Sequence, residues 1–217
     1  MFSKILSHLK KKSFALNEID LKLKPYLNHK GGFFIEAGAN DGITYSNTLY
    51  FEKYYNWRGI LVEPIPQLAK QCRVNRPRCV VEQYALVSFD FKRPYIEMRY
   101  CNHMSLVIGA MKKEEEDTHI AKGAKIQNVE PYELKVPAIS LSEIIEKNTD
   151  RKIDFFSLDV EGYELHALKG IDFDRHKPSL MLIEARYRDE IEGYLKSLYE
   201  PIAEFSKYDV LYRALDI

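Results

Sequence analysis

Five short apolar runs recur along the 217-residue chain, and most of them close on small or acidic residues: GFFIEA (32–37), GILVEP (59–64), CVVEQYAL (79–86), IDFFSLDV (153–160) and SLMLIEA (179–185). Continuous apolar runs of this length suit strands covered on both faces. Stretches of helical spacing lie between them, at 47–55, 65–75, 141–147 and 163–169. The alternation predicts an α/β fold with a mostly parallel, doubly wound sheet. It breaks over residues 90–138, where RPYIEMRY and PYELKVPAI read as strands around the charged segment GAMKKEEEDTHIAKGAK, a predicted surface helix. That region reads as an insertion between the third and fourth core strands, near the strand ends where ligands of such sheets bind. After it, 188–205 reads as a helix and YDVLYRAL (208–215) as a final antiparallel edge strand.

The length fits one domain, residues 1–217, with a core large enough to fold alone. Lysine plus arginine balance aspartate plus glutamate at 32 each, so no overall positive field favours nucleic acid. Cys72, Cys79 and Cys101 are odd in number and include no Cys-x-x-Cys pair, which argues against a disulfide framework and a zinc site and for reduced thiols in the cytoplasm. Phe2, Ile5, Leu6 and Leu9 stand at helical spacing beside Lys10, Lys11 and Lys12, so residues 1–30 are read as a helical cap with a solvated basic face. No membrane insertion is expected, because Lys4 and His8 interrupt the apolar stretch and no small-residue cleavage site follows. Nothing in the sequence sets an oligomeric state.

The polar residues that end the runs fall where loops and helix N-termini meet in such a sheet. Glu36 ends the first strand, Gly38 and Gly42 let backbone approach a ligand, and Asn40 and Asp41 can bond to backbone or ligand. Glu63 ends the second strand, and a carboxylate there accepts hydrogen bonds from both hydroxyls of a ribose. Neither phosphate fingerprint is present: Gly-x-x-x-x-Gly-Lys-Ser/Thr is absent, and GANDGI lacks the middle glycine of Gly-x-Gly-x-x-Gly. The acidic turn suits a ligand with a ribose, a cationic centre and an ammonium group, which S-adenosylmethionine combines. Two other readings stay open: a dehydrogenase acting on nucleotide sugars through NAD, and a nucleoside-binding protein without catalysis. The only Tyr-x-x-x-Lys of the dehydrogenase type, Tyr26 to Lys30, precedes the glycine turn and so weakens the first.

The segments IEAGANDG, LVEPIP, YALVS, SLDVEGYELHALKG and LIEARY, in this order, resemble the FkbM-type methyltransferases, a branch of the class I S-adenosylmethionine-dependent enzymes. The resemblance runs from Gly31 to Tyr187, and HMSLVIGAM and VPAISLSEII are similar to the family's middle region. It implies a Rossmann-like class I methyltransferase fold with an inserted lid. It also implies that Glu36, Gly38 and Asn40 line the methionine end of the cofactor, with Ser46 and Asn47 near its carboxylate. Glu63 would hold the ribose, Ala85 would sit beside the adenine, and Asp159 would face both cofactor and acceptor. Family members O-methylate hydroxyls of sugars or natural-product rings, so a small-molecule sugar or sugar-nucleotide acceptor is the implied partner. In-line transfer needs the reacting atoms aligned at about 3 Å, and a hydroxyl needs a base within reach. The candidates are Asp159, Glu161, His103, His166 and Glu184, with His103 the best matched to neutral pH. Glu161 and Glu164 could instead bind amides at a helix N-terminus, and Glu164 and His166 are read as structural. Asp159 and Glu184 could together hold a divalent cation.

Overall fold

The computed structural model describes residues 12–216. Its main sheet has seven strands: β1 (Phe33–Ala37), β2 (Arg58–Val62), β3 (Val80–Glu82), β8 (Phe155–Leu158), β9 (Leu180–Glu184), β10 (Tyr199–Glu204) and β11 (Asp209–Ala214), in the order β10-β11-β9-β8-β1-β2-β3. The run β3-β2-β1-β8-β9 is parallel, and β11 pairs antiparallel with β9 and with β10. Alternate side chains of the central strands point to opposite faces. Phe33, Ile35, Ala37, Phe156 and Met181 pack against α5 (Leu141–Asn148), α6 (Glu164–Leu168) and α7 (Arg188–Leu195). Phe34, Phe155 and Leu182 pack on the other face with α2 (Leu49–Tyr55), Cys72 of α3 (Pro66–Asn75) and Ile19 of α1 (Ile19–Lys22). The sheet is therefore doubly wound, which explains why the central strands read as unbroken apolar runs.

The third predicted strand, 79–86, is two. β3 leaves the main sheet after Glu82, and β4 (Ala85–Leu86) pairs with β7 (Tyr132–Ile139) in a second sheet of order β4-β7-β5-β6, with β5 at Tyr95–Tyr100 and β6 at Leu106–Val107. The insertion thus has its own packing: Ile96, Met98, Val107 and Val136 form a core with Ala85, Val87 and Tyr163. The charged segment is the helix α4 (Lys113–Gln127), and it is not wholly solvated: Glu116 and Ile120 are buried, and Gly123 lies against Cys101 and Met104.

The carboxyl-terminal reading needs correction too. The helix ends at Leu195 rather than 205, and 199–204 forms the edge strand, so β11 lies inside the sheet with Val210, Leu211 and Tyr212 buried. Pro201 explains the exchange, because it cannot continue a helix or donate to an inner ladder, and the register shifts between Pro201 and Ala203.

Of the expected helical cap, residues 1–11 lie outside the described residues. The remainder is a 3-10 turn (Leu16–Glu18), α1 and further turns. Buried Asp20 holds it by accepting from Ser13 Oγ at 2.6 Å and Phe14 N at 2.7 Å, and Ala15 bridges to Tyr45. No helix among the described residues is long and apolar enough to cross a membrane. The three cysteines are free thiols.

Candidate active site

A cavity of about 330 Å³ opens at the carboxyl ends of β1, β2, β8 and β9. Glu36, Gly38, Asn40, Ser46, Asn47, Glu63, Ala85, His103, Asp159, Glu161 and Glu184, all singled out from the sequence, line it. Asp41 does not. Its carboxylate accepts from Ile43 N, Thr44 N and Thr44 Oγ1 at 2.7–2.8 Å and serves the turn itself. Those hydrogen bonds hold the group below the usual carboxylate range, although burial pushes the other way.

The corner after β1 is a closed hydrogen-bond system. Gly38 has φ +81°, and a Cβ there would lie 1.9 Å from the Asp159 carbonyl oxygen, so β1 and the end of β8 touch backbone to backbone. The amides of Gly38 and Ala39 donate to Val62 O, and Asn40 N donates to Glu63 Oε2 at 2.8 Å. Glu36 lines the cavity, but its oxygens accept from Ser46 Oγ, Asn47 N and Thr48 Oγ1 and face Arg76 Nη1 at 3.6 Å. Arg76, fully buried at the end of α3, also pairs with Glu52 and donates to Gly42 O at 2.9 Å. Sequence reasoning missed it, since an arginine in NRPRC looks like any solvated helix end. A buried arginine joined to two carboxylates locks the loop's shape. Glu63 accepts from Asn40 N and Ile65 N, and burial outweighs both bonds to push its carboxyl up to about 7.

The floor of the cavity differs. Asp159 is exposed by surface area, but that surface belongs to the cavity, so bulk water reaches the charge from few directions. Burial first, then the carboxylates of Glu184, Glu161, Glu164 and Asp209, push Asp159 well above the ordinary carboxylate range. Glu161 adopts φ +54° and receives Arg186 Nη2 at 3.0 Å; burial and Glu184 nevertheless raise it to about 8. Glu184 lies beside them, its Oε2 without a hydrogen-bond donor and 4.0 Å from Arg186 Nη2. Asp159, Glu161 and Glu184 each bring one oxygen within 4.8 Å of the others, a spacing a shared cation would fit. The Arg186 guanidinium already supplies positive charge there. Glu164 takes the other role weighed for this turn: it is buried and accepts from Val160 N and Gly162 N. His166 stacks on Tyr163 with centroids 4.3 Å apart and does not line this cavity. His103 does, with its ring 4.9 Å from that of Tyr45, and burial lowers its pKa against the pull of Asp41.

Among the described residues no lysine or arginine lines the cavity, while six carboxylates do: Glu36, Glu63, Asp159, Glu161, Glu184 and Asp209. The donor set therefore fits a cationic nucleoside and disfavours a pyrophosphate. A doubly wound sheet with this wall is compatible with a nucleoside ligand and does not by itself select one reaction.

Comparison with known proteins narrows the class. The methyltransferase FkbM domain family matches residues 36–209, beyond the span read from motifs and into β11. The structure is similar to that of a putative caffeoyl-CoA O-methyltransferase from Staphylococcus aureus, at 10% identity and a TM-score of 0.51, covering 98% of this chain and 88% of that one. It is also similar to a putative S-adenosyl-L-methionine-dependent methyltransferase from Methanococcus maripaludis, at 9% identity and a TM-score of 0.49, covering 96% and 97%. No curated protein matches it in sequence. The chain belongs to the FkbM methyltransferase family. It is an S-adenosylmethionine-dependent methyltransferase of the Rossmann-like class I fold, and this decides between methyl transfer and the dehydrogenase reading.

Proposed function

We propose that the protein O-methylates a sugar hydroxyl of a cell-surface polysaccharide or glycan precursor, presented as a free sugar or a sugar nucleotide, in the cytoplasm. The observation that carries this reading is the cluster of three carboxylates, Asp159, Glu161 and Glu184, at the cavity floor, where Glu184 Oε2 has no hydrogen-bond partner. Bound S-adenosylmethionine supplies an electrophilic methyl group on a sulfonium. Glu36, Gly38, Asn40, Ser46 and Asn47 would hold its methionine end, Glu63 its ribose and Ala85 its adenine; Asp41 would act by shaping the turn.

The chain's own chemistry concerns the acceptor's proton. A hydroxyl seated at Asp159 and Glu161 donates its O–H to a carboxylate, which orients the oxygen lone pair. The ionised carboxylate then keeps the proton as the oxygen forms its new bond. A carboxyl raised to about 8 is a stronger base than an ordinary glutamate and matches the requirement near neutral pH. His103, held neutral by burial, is a second base facing the same cavity. If a divalent cation takes part, Asp159 and Glu184 are its ligands.

The test is calorimetric titration with S-adenosylhomocysteine and with NAD, for the native protein and for Glu63→Ala. A screen of sugars and sugar nucleotides follows, with and without Mg²⁺, scored by methyl incorporation. Saturable binding of the homocysteine compound, weakened in the variant, followed by methylation of a sugar oxygen, is the expected result. Methylation at nitrogen or carbon, or of non-carbohydrate hydroxyls alone, overturns the acceptor assignment.

A further inference from the structure

The turn after β1 contains a residue whose backbone and side chain make opposite demands. Tyr45 has φ +60°, in the left-handed region where a bulky residue is an outlier. Glycine or asparagine would sit there at less cost. The chain fixes this conformation from both sides: Thr44 N and Oγ1 donate to Asp41 at 2.7 and 2.8 Å, and Ser46 Oγ donates to Glu36 Oε2 at 2.9 Å. Ala15 bridges to Tyr45 itself. With its neighbours pinned, Tyr45 lines the cavity and stays 51% exposed instead of joining a core.

A second ring stands beside it. His103 lies at a centroid distance of 4.9 Å, with the two planes inclined at 52°. It belongs to the 3-10 turn Asn102–Met104 of the insertion, which is tied to α4: His103 N donates to Gln127 Oε1 at 3.1 Å, and Gln127 Nε2 donates to Cys101 O at 3.0 Å. Leu16 and Ile126, 52% and 67% exposed, line the same cavity. Exposed apolar side chains are ordinary when scattered. These come from segments far apart in sequence and meet at one cavity. The cavity is therefore amphipathic, with carboxylates at its floor and aromatic and aliphatic carbon at its edge.

A pyranose has the matching form. Its hydroxyls are donors for the floor carboxylates, and its ring C–H bonds make an apolar face that the electron-rich face of an aromatic ring attracts. We infer that Tyr45 is a specificity-determining residue: its ring, braced by His103, is the platform for the C–H face of the acceptor. The inference rests on the reading that the acceptor is a sugar. It explains why a strained backbone carries a tyrosine, since local strain persists where a side chain serves function. It also gives Asp41 a consequence beyond the turn, because the bonds from Thr44 set where the platform stands.

The test uses the full chain saturated with S-adenosylhomocysteine, and the probes are methyl pyranosides of the common hexoses and 6-deoxyhexoses. Affinity is read by saturation-transfer NMR titration for native protein, Tyr45→Phe and Tyr45→Gly, and thermal unfolding of each is recorded. Native protein and Tyr45→Phe should bind at least one pyranoside alike, and Tyr45→Gly should weaken it roughly three- to tenfold. The affinity of Tyr45→Gly for S-adenosylhomocysteine should stay within about twofold of native, and its unfolding midpoint should be unchanged or higher, because relief of the left-handed strain offsets the added freedom of the unfolded chain. A lower midpoint in Tyr45→Gly would make the ring a structural contact and overturn the proposal. Equal pyranoside affinity in native protein and Tyr45→Gly would overturn the platform while leaving the sugar reading intact. Native protein that binds S-adenosylhomocysteine but none of the pyranosides would sink the sugar reading itself, and the platform with it.

Discussion

Glu36 and Asp159 follow apolar runs in neighbouring parallel strands, Glu36 within β1 and Asp159 just past β8, yet their surroundings are opposite. Glu36 meets Ser46, Asn47, Thr48 and Arg76, all donors. The charged neighbours of Asp159 are Glu184, Glu161, Glu164 and Asp209. A carboxylate met by several donors is held in one place and fixes a loop, even where it also lines the cavity. One left among other carboxylates has its pKa raised, and its ionised form is the stronger base for an acceptor's proton. The residue type at a strand end therefore does not assign its role; the count of donors around it does.

The comparison breaks most sharply at Asp159. Asp159→Asn should cut turnover on the order of 10²–10⁴-fold while leaving the affinity for S-adenosylhomocysteine within a few-fold and the unfolding midpoint nearly unchanged, because a neutral amide replaces a carboxyl whose proton affinity its surroundings already raise. Parallel losses of turnover and affinity would move Asp159 to the cofactor corner. Arg76→Met should behave in the contrary way, costing about 3–5 kcal/mol in denaturant unfolding because Glu36 and Glu52 lose their buried counter-charge. A variant of native stability would show that the loop holds without it. Glu63→Ala should lose about 1.5–3 kcal/mol of S-adenosylhomocysteine binding, roughly ten- to a hundredfold in Kd, as charge-assisted hydrogen bonds disappear.

The smallest effect is a pH dependence. Glu63, Glu161 and Glu164 rise to about 7, 8 and 7 in the folded chain, from 4.5. Between about pH 5 and 8 the folded state therefore retains protons that the unfolded chain has released, and stability falls as pH rises through this window. Thermal unfolding should show a midpoint lower by roughly a few degrees at pH 8 than at pH 5.5. A midpoint rising over that range would mean that these carboxylates are ionised in the folded protein.

Much of this architecture was legible because it is local. Runs such as GFFIEA and IDFFSLDV announce buried strands, and Gly38 and Glu63 mark the strand ends that meet a ligand. What escaped depends on partners distant in sequence. The departure of β4 from the main sheet is decided by pairing with β7, about fifty residues later, and no pattern in CVVEQYAL encodes it. Arg76 is buried only because Glu36 and Glu52 arrive from other segments. The buried stripe of Glu116, Ile120 and Gly123 hid within EEEDTHIAKG, outweighed by surrounding charge. Pro201, by contrast, was a readable signal that a helix to residue 205 could not hold.

The contact between Gly38 and the Asp159 carbonyl limits how this protein can vary. A side chain at position 38 would collide with main chain, not with a neighbouring side chain, so no replacement at 159 makes room for it. A mutational scan should find position 38 intolerant even when selection asks only for folded protein, and no second-site revertant should arise at 159. Invariance of Gly38 among relatives would then record a steric condition on two adjacent parallel backbones, whatever acceptor each relative methylates.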